Sequence, residues 1–115
     1  MARQPVPRKW RRADAVHATR GRLLHLLERY ELTVGELCTA VQLPQSTVSR
    51  HLRVLNDEGW LTVRSEGTSR YYRMGARLEP ESKRLWEVVR EALDASAEAA
   101  QDAARAVDLV SRRRT

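Results

Sequence analysis

The chain has 115 residues, room for one small domain, and its single cysteine, Cys38, rules out an intramolecular disulfide and with it a secreted disulfide scaffold. Its formal net charge is +6, with 21 Lys and Arg against 15 acids, and nearly all the cations are arginine, which forks onto phosphate and guanine. The apolar runs are only a few residues long and MARQPVPRKWRR lacks the apolar core of a secretory signal, so neither membrane insertion nor export is expected and a cytoplasmic protein is.

The first periodic segment is Asp14 to Tyr30, where Val16, Leu23, Leu27 and Tyr30 repeat at helical spacing with Leu26 beside them. Gly21 argues for two helical pieces, because glycine costs about 1 kcal/mol against alanine inside a helix. Thr33-Val34-Gly35-Glu36 fits a capping box and predicts a short helix to about Gln42. Leu43-Pro44-Gln45 breaks it, and Ser46 is read as the N-cap of a further helix through about Asn56, stopped by Gly59. Trp60 to Ser65 alternates, with Leu61 and Val63 on one face and Thr62 and Arg64 on the other. Glu66-Gly67 then turns the chain into Ser69 to Met74, giving a β-hairpin. From Pro80 to about Val110 the pattern is helical and alanine-rich, with Pro80 suited to a first turn.

Charge is distributed unevenly along these elements. Residues 1–12 carry five cations and no acid, residues 46–77 carry six cations against three acids, and residues 78–108 carry four against eight. The middle block is therefore the candidate binding face for a polyanion. On a helical wheel Val48, Leu52 and Leu55 share one face of the helix from Ser46, and Ser46, Arg50 and Arg53 lie opposite, flanked by Thr47 and Ser49. Short hydroxyls and arginines at the start of such a helix are the groups that read base edges in a major groove. A capped helix, a turn, a hydroxyl-rich helix and a basic hairpin make a winged helix-turn-helix, with Arg64, Arg70 and Arg73 of the wing near phosphates. The fold expected is mainly α with a small β-hairpin, and double-stranded DNA is the expected partner.

The stretch LTVGELCTAVQLPQSTVSRHLRVLNDEGWLTVRSEGTSRYYRM resembles the core of an ArsR-family repressor. The resemblance spans roughly residues 15–93 and implies that Gln45, Ser46, Thr47, Ser49 and Arg50 approach bases and phosphates, and that the terminal helices form a homodimer. Leu85, Val89, Ala92, Ser96, Ala99, Ala103, Ala106 and Val110, spaced alternately four and three apart, form a candidate dimerisation seam on one long helix. The domain reading is thus residues 1–12 as a basic arm around Arg8, Lys9, Arg11 and Arg12, residues 13–77 as the DNA-binding domain, and residues 78–111 as the dimerisation helix.

No catalytic constellation is visible, so no enzyme and no cofactor are expected. Metal-sensing members of the family carry ELC-x-C on the short helix, whereas Glu36-Leu37-Cys38 is followed here by Thr39 and Ala40. A lone thiol with the scattered His17, His25 and His51 does not supply the converging ligands that soft metals need, and no metal site is expected. His51 reads as packing or DNA-facing, His25 as exposed, and Trp10, Trp60 and Trp86 as packing residues. Two other functions fit part of the pattern. Lys83 to Leu93 also resembles the helix that links an ArsR-type domain to a methyltransferase domain, which would make the chain a regulatory module of an enzyme. A winged helix can also serve protein interaction alone. The effector, the operator and the choice between repression and activation are not encoded in any motif.

Overall fold

The structure is a computed structural model that describes residues 8–113, with side chains described from residue 17 onward. Arg8, Lys9, Arg11 and Arg12 of the basic arm, and Trp10, therefore have side chains outside the described residues. Helix α1 (Arg8–Leu27) is followed by a short strand β1 (Leu32–Thr33), then α2 (Val34–Val41), α3 (Gln45–Asp57), the hairpin β2 (Leu61–Glu66) and β3 (Ser69–Met74), α4 (Pro80–Asp94) and α5 (Ala97–Arg112). The strands form one antiparallel sheet in the order β1-β3-β2, with Leu32 opposite Tyr72 and Leu61 opposite Met74. None of the helices is long and apolar enough to cross a membrane among the described residues.

Helix α1 runs unbroken through Gly21, contrary to the two pieces expected. The glycine is buried beside Val89 and Leu93 of α4, and that packing outweighs a propensity cost of about 1 kcal/mol. Leu23, Leu24, Leu26 and Leu27 are all buried, because α1 is covered on several sides by α3, α4, α5 and β3. His25 is buried with them rather than exposed, its Nε2 2.9 Å from Asp94 Oδ1. A wheel drawn on the Leu23/Leu27 stripe alone could not foresee the second wall that α4 supplies.

The capping box at Thr33 forms as expected. The Glu36 amide donates to Thr33 Oγ1 at 3.2 Å, and the Thr33 amide donates to Glu36 Oε1 at 2.9 Å. Gln42 ends α2 in the left-handed conformation, with φ 57°, and Pro44 then prevents α2 from continuing into α3. Ser46 is not the N-cap of α3. Pro44 holds that position, and its carbonyl accepts from the Thr47 and Val48 amides, leaving the Ser46 side chain exposed. At the hairpin, Gly67 takes the positive φ of 61° that the first position of a two-residue turn demands.

The helix expected from Pro80 to Val110 is two helices. Ser96 accepts from the Ala99 amide at 3.3 Å and starts α5 afresh, and α5 packs on α2 and α1. Ala99 and Ala106 are fully buried inside the subunit and Ala103 and Val110 pack against the same core, so the second half of the proposed seam is already occupied. Leu85 and Val88 on α4, by contrast, are 57% and 68% exposed.

Candidate nucleic-acid interface

Helix α3 is amphipathic in the way its sequence requires. Val48, Leu52 and Leu55 are buried in the core, while Gln45, Ser46, Ser49, Arg50 and Arg53 are exposed along the outer face and Thr47 is half-buried at its edge. The helix is pinned from behind by His51, which is 8% exposed and accepts a hydrogen bond at Nδ1 from Arg20 Nε of α1, 3.3 Å away. That bond requires an unprotonated Nδ1, and so a neutral ring.

Burial first, then the charges of Arg20 and Arg50, hold His51 below its ordinary value of 6.5. As pH falls the unfolded chain therefore takes up the proton first. Neutral His51 contributes stability that is complete above about pH 6.5 and is lost below it, toward the depressed folded value. His51→Asn, which keeps an acceptor for Arg20, should remove that part of the acid sensitivity. Thermal unfolding of both proteins between about pH 5 and 8 checks this, and equal slopes in the two would contradict it.

The wing presents two faces, and only one turns toward α3. Arg70 shares its face with Tyr72 and Met74, as the strand alternation dictates, and its guanidinium lies 5.9 Å from the centre of the Tyr72 ring. Ser49, Leu52, Arg53 and Asn56 of α3 line a cleft of about 290 Å³ with Arg70 and Tyr72. Hydroxyl, amide and two guanidinium groups thus face one channel between reading helix and wing, a suitable lining for a phosphodiester strand. Asn56 and Tyr72 were not singled out from sequence. The signals were present, since Asn56 lies seven residues after Ser49 on the same helix face and Tyr72 two residues after Arg70 on the same strand face.

Arg64 and Arg73 are not brought to this cleft. They share the opposite face of the hairpin with Tyr71, because Arg64 pairs with Tyr71 and Thr62 with Arg73 in the register. Arg64 donates to Glu31 Oε1 from Nε at 3.1 Å and from Nη2 at 2.7 Å, reaches Glu66 at 2.7 Å, and lies 4.7 Å over the Tyr71 ring. Its charge is neutralised within the subunit, and the same hydrogen bonds hold the Glu31 carboxyl below its usual range. Arg73 lines a small pocket with Glu28 and Glu31. Of the three wing arginines expected near phosphates, Arg70 is the one placed beside α3.

Cys38 is half-buried, and desolvation pushes its thiol up, away from the thiolate that binds soft metals. Among the described residues no group of three or more His, Cys, Asp and Glu side chains is placed to hold a metal ion.

A capped helix α2, a tight turn, a helix α3 with an exposed hydroxyl and arginine face, and a hairpin that closes a cleft beside it define a winged helix-turn-helix. A family model described as bacterial regulatory protein, arsR family, matches residues 17–62. The arsenical resistance operon repressor of Escherichia coli (strain K12) is 40% identical over 58 residues, which is 50% of this chain and 50% of that one, so the match spans half the length of that relative. Among solved structures, the transcriptional regulator HlyU from Vibrio vulnificus CMCP6 is 33% identical, with 72% of this chain and 91% of that one covered and a TM-score of 0.53. The homodimeric winged helix-turn-helix DNA-binding domain of Mb0332 from Mycobacterium bovis, a possible ArsR-family transcriptional regulator, is 30% identical, with 84% and 94% covered and a TM-score of 0.53. The chain belongs to the ArsR family of bacterial regulatory proteins, with the winged helix-turn-helix fold.

Proposed function

We propose that the protein is a homodimeric repressor that reads double-stranded DNA in a sequence-specific way, the reading helix being α3. The observation that carries this reading is the outer face of α3, where Gln45, Ser46, Ser49, Arg50 and Arg53 are exposed beside the cleft that Arg70 closes. In this reading Arg50 takes a guanine edge, the hydroxyls of Ser46, Thr47 and Ser49 take adjacent bases or phosphates, and Arg53, Asn56 and Arg70 guide the strand through the cleft. Residues 13–77 form the DNA-binding unit and α4 supplies the dimer contact, the homodimeric Mb0332 domain being the precedent. The protein works in the cytoplasm with its DNA, and none of its groups is assigned a catalytic role.

Selection of bound duplexes from a random pool is the direct test, and it should return two half-sites related by a two-fold axis. With that site in hand, Arg50→Ala should lose about 1–3 kcal/mol of discrimination at one base pair, whereas Arg70→Ala should weaken all duplexes alike. The absence of any enriched sequence, or equal discrimination by the Arg50 variant and the wild type, would refute the reading.

A further inference from the structure

Helix α5 grips α2, the first helix of the helix-turn-helix, at both ends. At the α2 C-terminus, fully buried Asp102 accepts from Arg22 Nε at 2.8 Å and Nη2 at 2.9 Å, and from Arg105 Nη2 at 3.1 Å. Those two guanidinium groups also donate to α2 itself, Arg22 Nη2 to the Val41 carbonyl at 2.9 Å and Arg105 Nε to the Ala40 carbonyl at 2.6 Å. The last carbonyls of a helix lack partners within it, so Asp102 orients two arginines onto groups that need donors.

Helix α5 runs back along α2, and at the other end Arg113 closes the grip. It donates from Nε to Glu36 Oε2 at 2.6 Å and from Nη2 to Glu36 Oε1 and, at 3.0 Å, to the Glu31 carbonyl. Glu36 is the carboxylate of the α2 capping box. The same guanidinium lies 5.3 Å from the centre of the Tyr71 ring on β3, so one residue ties the start of α2 to the wing.

We propose that α5 is a brace on the DNA-reading unit, with Asp102 and Arg113 as positioning residues that fix α2, and with it α3 and the wing, in the pose that meets DNA. The proposal rests on the DNA-binding reading above. It predicts a sign that charge alone would not. Glu36→Gln keeps the capping box, since glutamine serves in it as well, but removes the ionic partner of Arg113. Taking one negative charge from a DNA-binding protein would by simple electrostatics tighten binding. The brace requires the reverse, a loss of about three- to tenfold at the selected operator, the scale of coupling between paired side chains.

Operator affinity of the full chain is measured for wild type, Glu36→Gln, Arg113→Ala and the double variant as a function of salt. The expected result is weaker binding by either single variant, a double variant no worse than the singles, an unchanged salt slope for Arg113→Ala, and faster hydrogen exchange in the α2 amides. Arg113→Lys, which keeps the ion pair but loses the fork, should restore part of the affinity. If Glu36→Gln binds as tightly as wild type or tighter, the brace is overturned. It is equally overturned if Arg113→Ala flattens the salt slope by about 0.9, since Arg113 would then be a phosphate contact. Failure of the wild type to select any duplex would instead remove the DNA-binding reading, and is seen before any variant is made.

Discussion

Replacing Asp102 by alanine should destabilise the protein by about 3–5 kcal/mol, a large part of the roughly 5–15 kcal/mol that holds a domain of this size folded. The Asp102 and Arg22 side chains are 1% and 13% exposed, so deleting the carboxylate leaves the Arg22 charge with little water to replace it. Arg22 would retain the Val41 carbonyl and the looser approach of Glu98 at 3.5 Å, and Arg105 would keep the Ala40 carbonyl. The size of the loss measures the cost of orphaning a buried cation, not the net worth of the group of three. Converting Asp102 and Arg22 together to apolar residues should therefore recover much of it. Urea unfolding at neutral pH supplies the numbers, and a loss under about 1 kcal/mol for Asp102→Ala with an unchanged denaturant slope would mean that water reaches Arg22 freely.

The parts legible in the sequence are those where a local rule and the tertiary structure agree. Thr33 and Glu36 form their capping box because both ends of that interaction lie within one turn. The inner and outer faces of α3 could be separated because Val48, Leu52 and Leu55 recur at the helical period and the core lies on one side. Sequence and structure part where two elements compete for the same residues. The four-and-three spacing from Leu85 to Val110 is continuous in sequence, but Ser96 caps a new helix and sends Ala99 and Ala106 into the subunit's own core. Periodicity states that a face is apolar and leaves open which surface covers it. Composition groups Arg64 and Arg73 with Arg70, although the period of two along β3 separates Arg70 from Arg73, and the register places Arg64 with Tyr71. The fate of Arg64 as a partner of Glu31, 33 residues away, had no sequence signal, because nothing local marks β1 as the neighbour of β3.

With Ala99 and Ala106 of the α5 half buried, α4 is the part of the seam left to carry the dimer proposed above, and this makes a sharp contrast between substitutions. Leu85→Asp combined with Val88→Asp should yield a folded monomer, because both side chains are more than half exposed in the subunit. Ala99→Asp should instead unfold the subunit, since that alanine has no exposed surface and a buried, unpaired carboxylate is among the costliest changes a core can receive. Beside Leu85 runs a groove of about 350 Å³ whose lining includes Leu24, Leu55, Trp60, Trp86 and Val89, so α4 offers apolar surface to side chains of a second copy. Loss of the dimer carries a large penalty at the operator. Two linked half-site contacts gain about 10²–10⁴ in affinity over one through effective concentration, and the double α4 variant should lose most of that factor while each module keeps its half-site. Sedimentation velocity with binding to whole and half operators decides it. A double variant that still sediments as a dimer would place the interface elsewhere, and a monomer that binds the whole operator as tightly as wild type would show that one reading helix suffices.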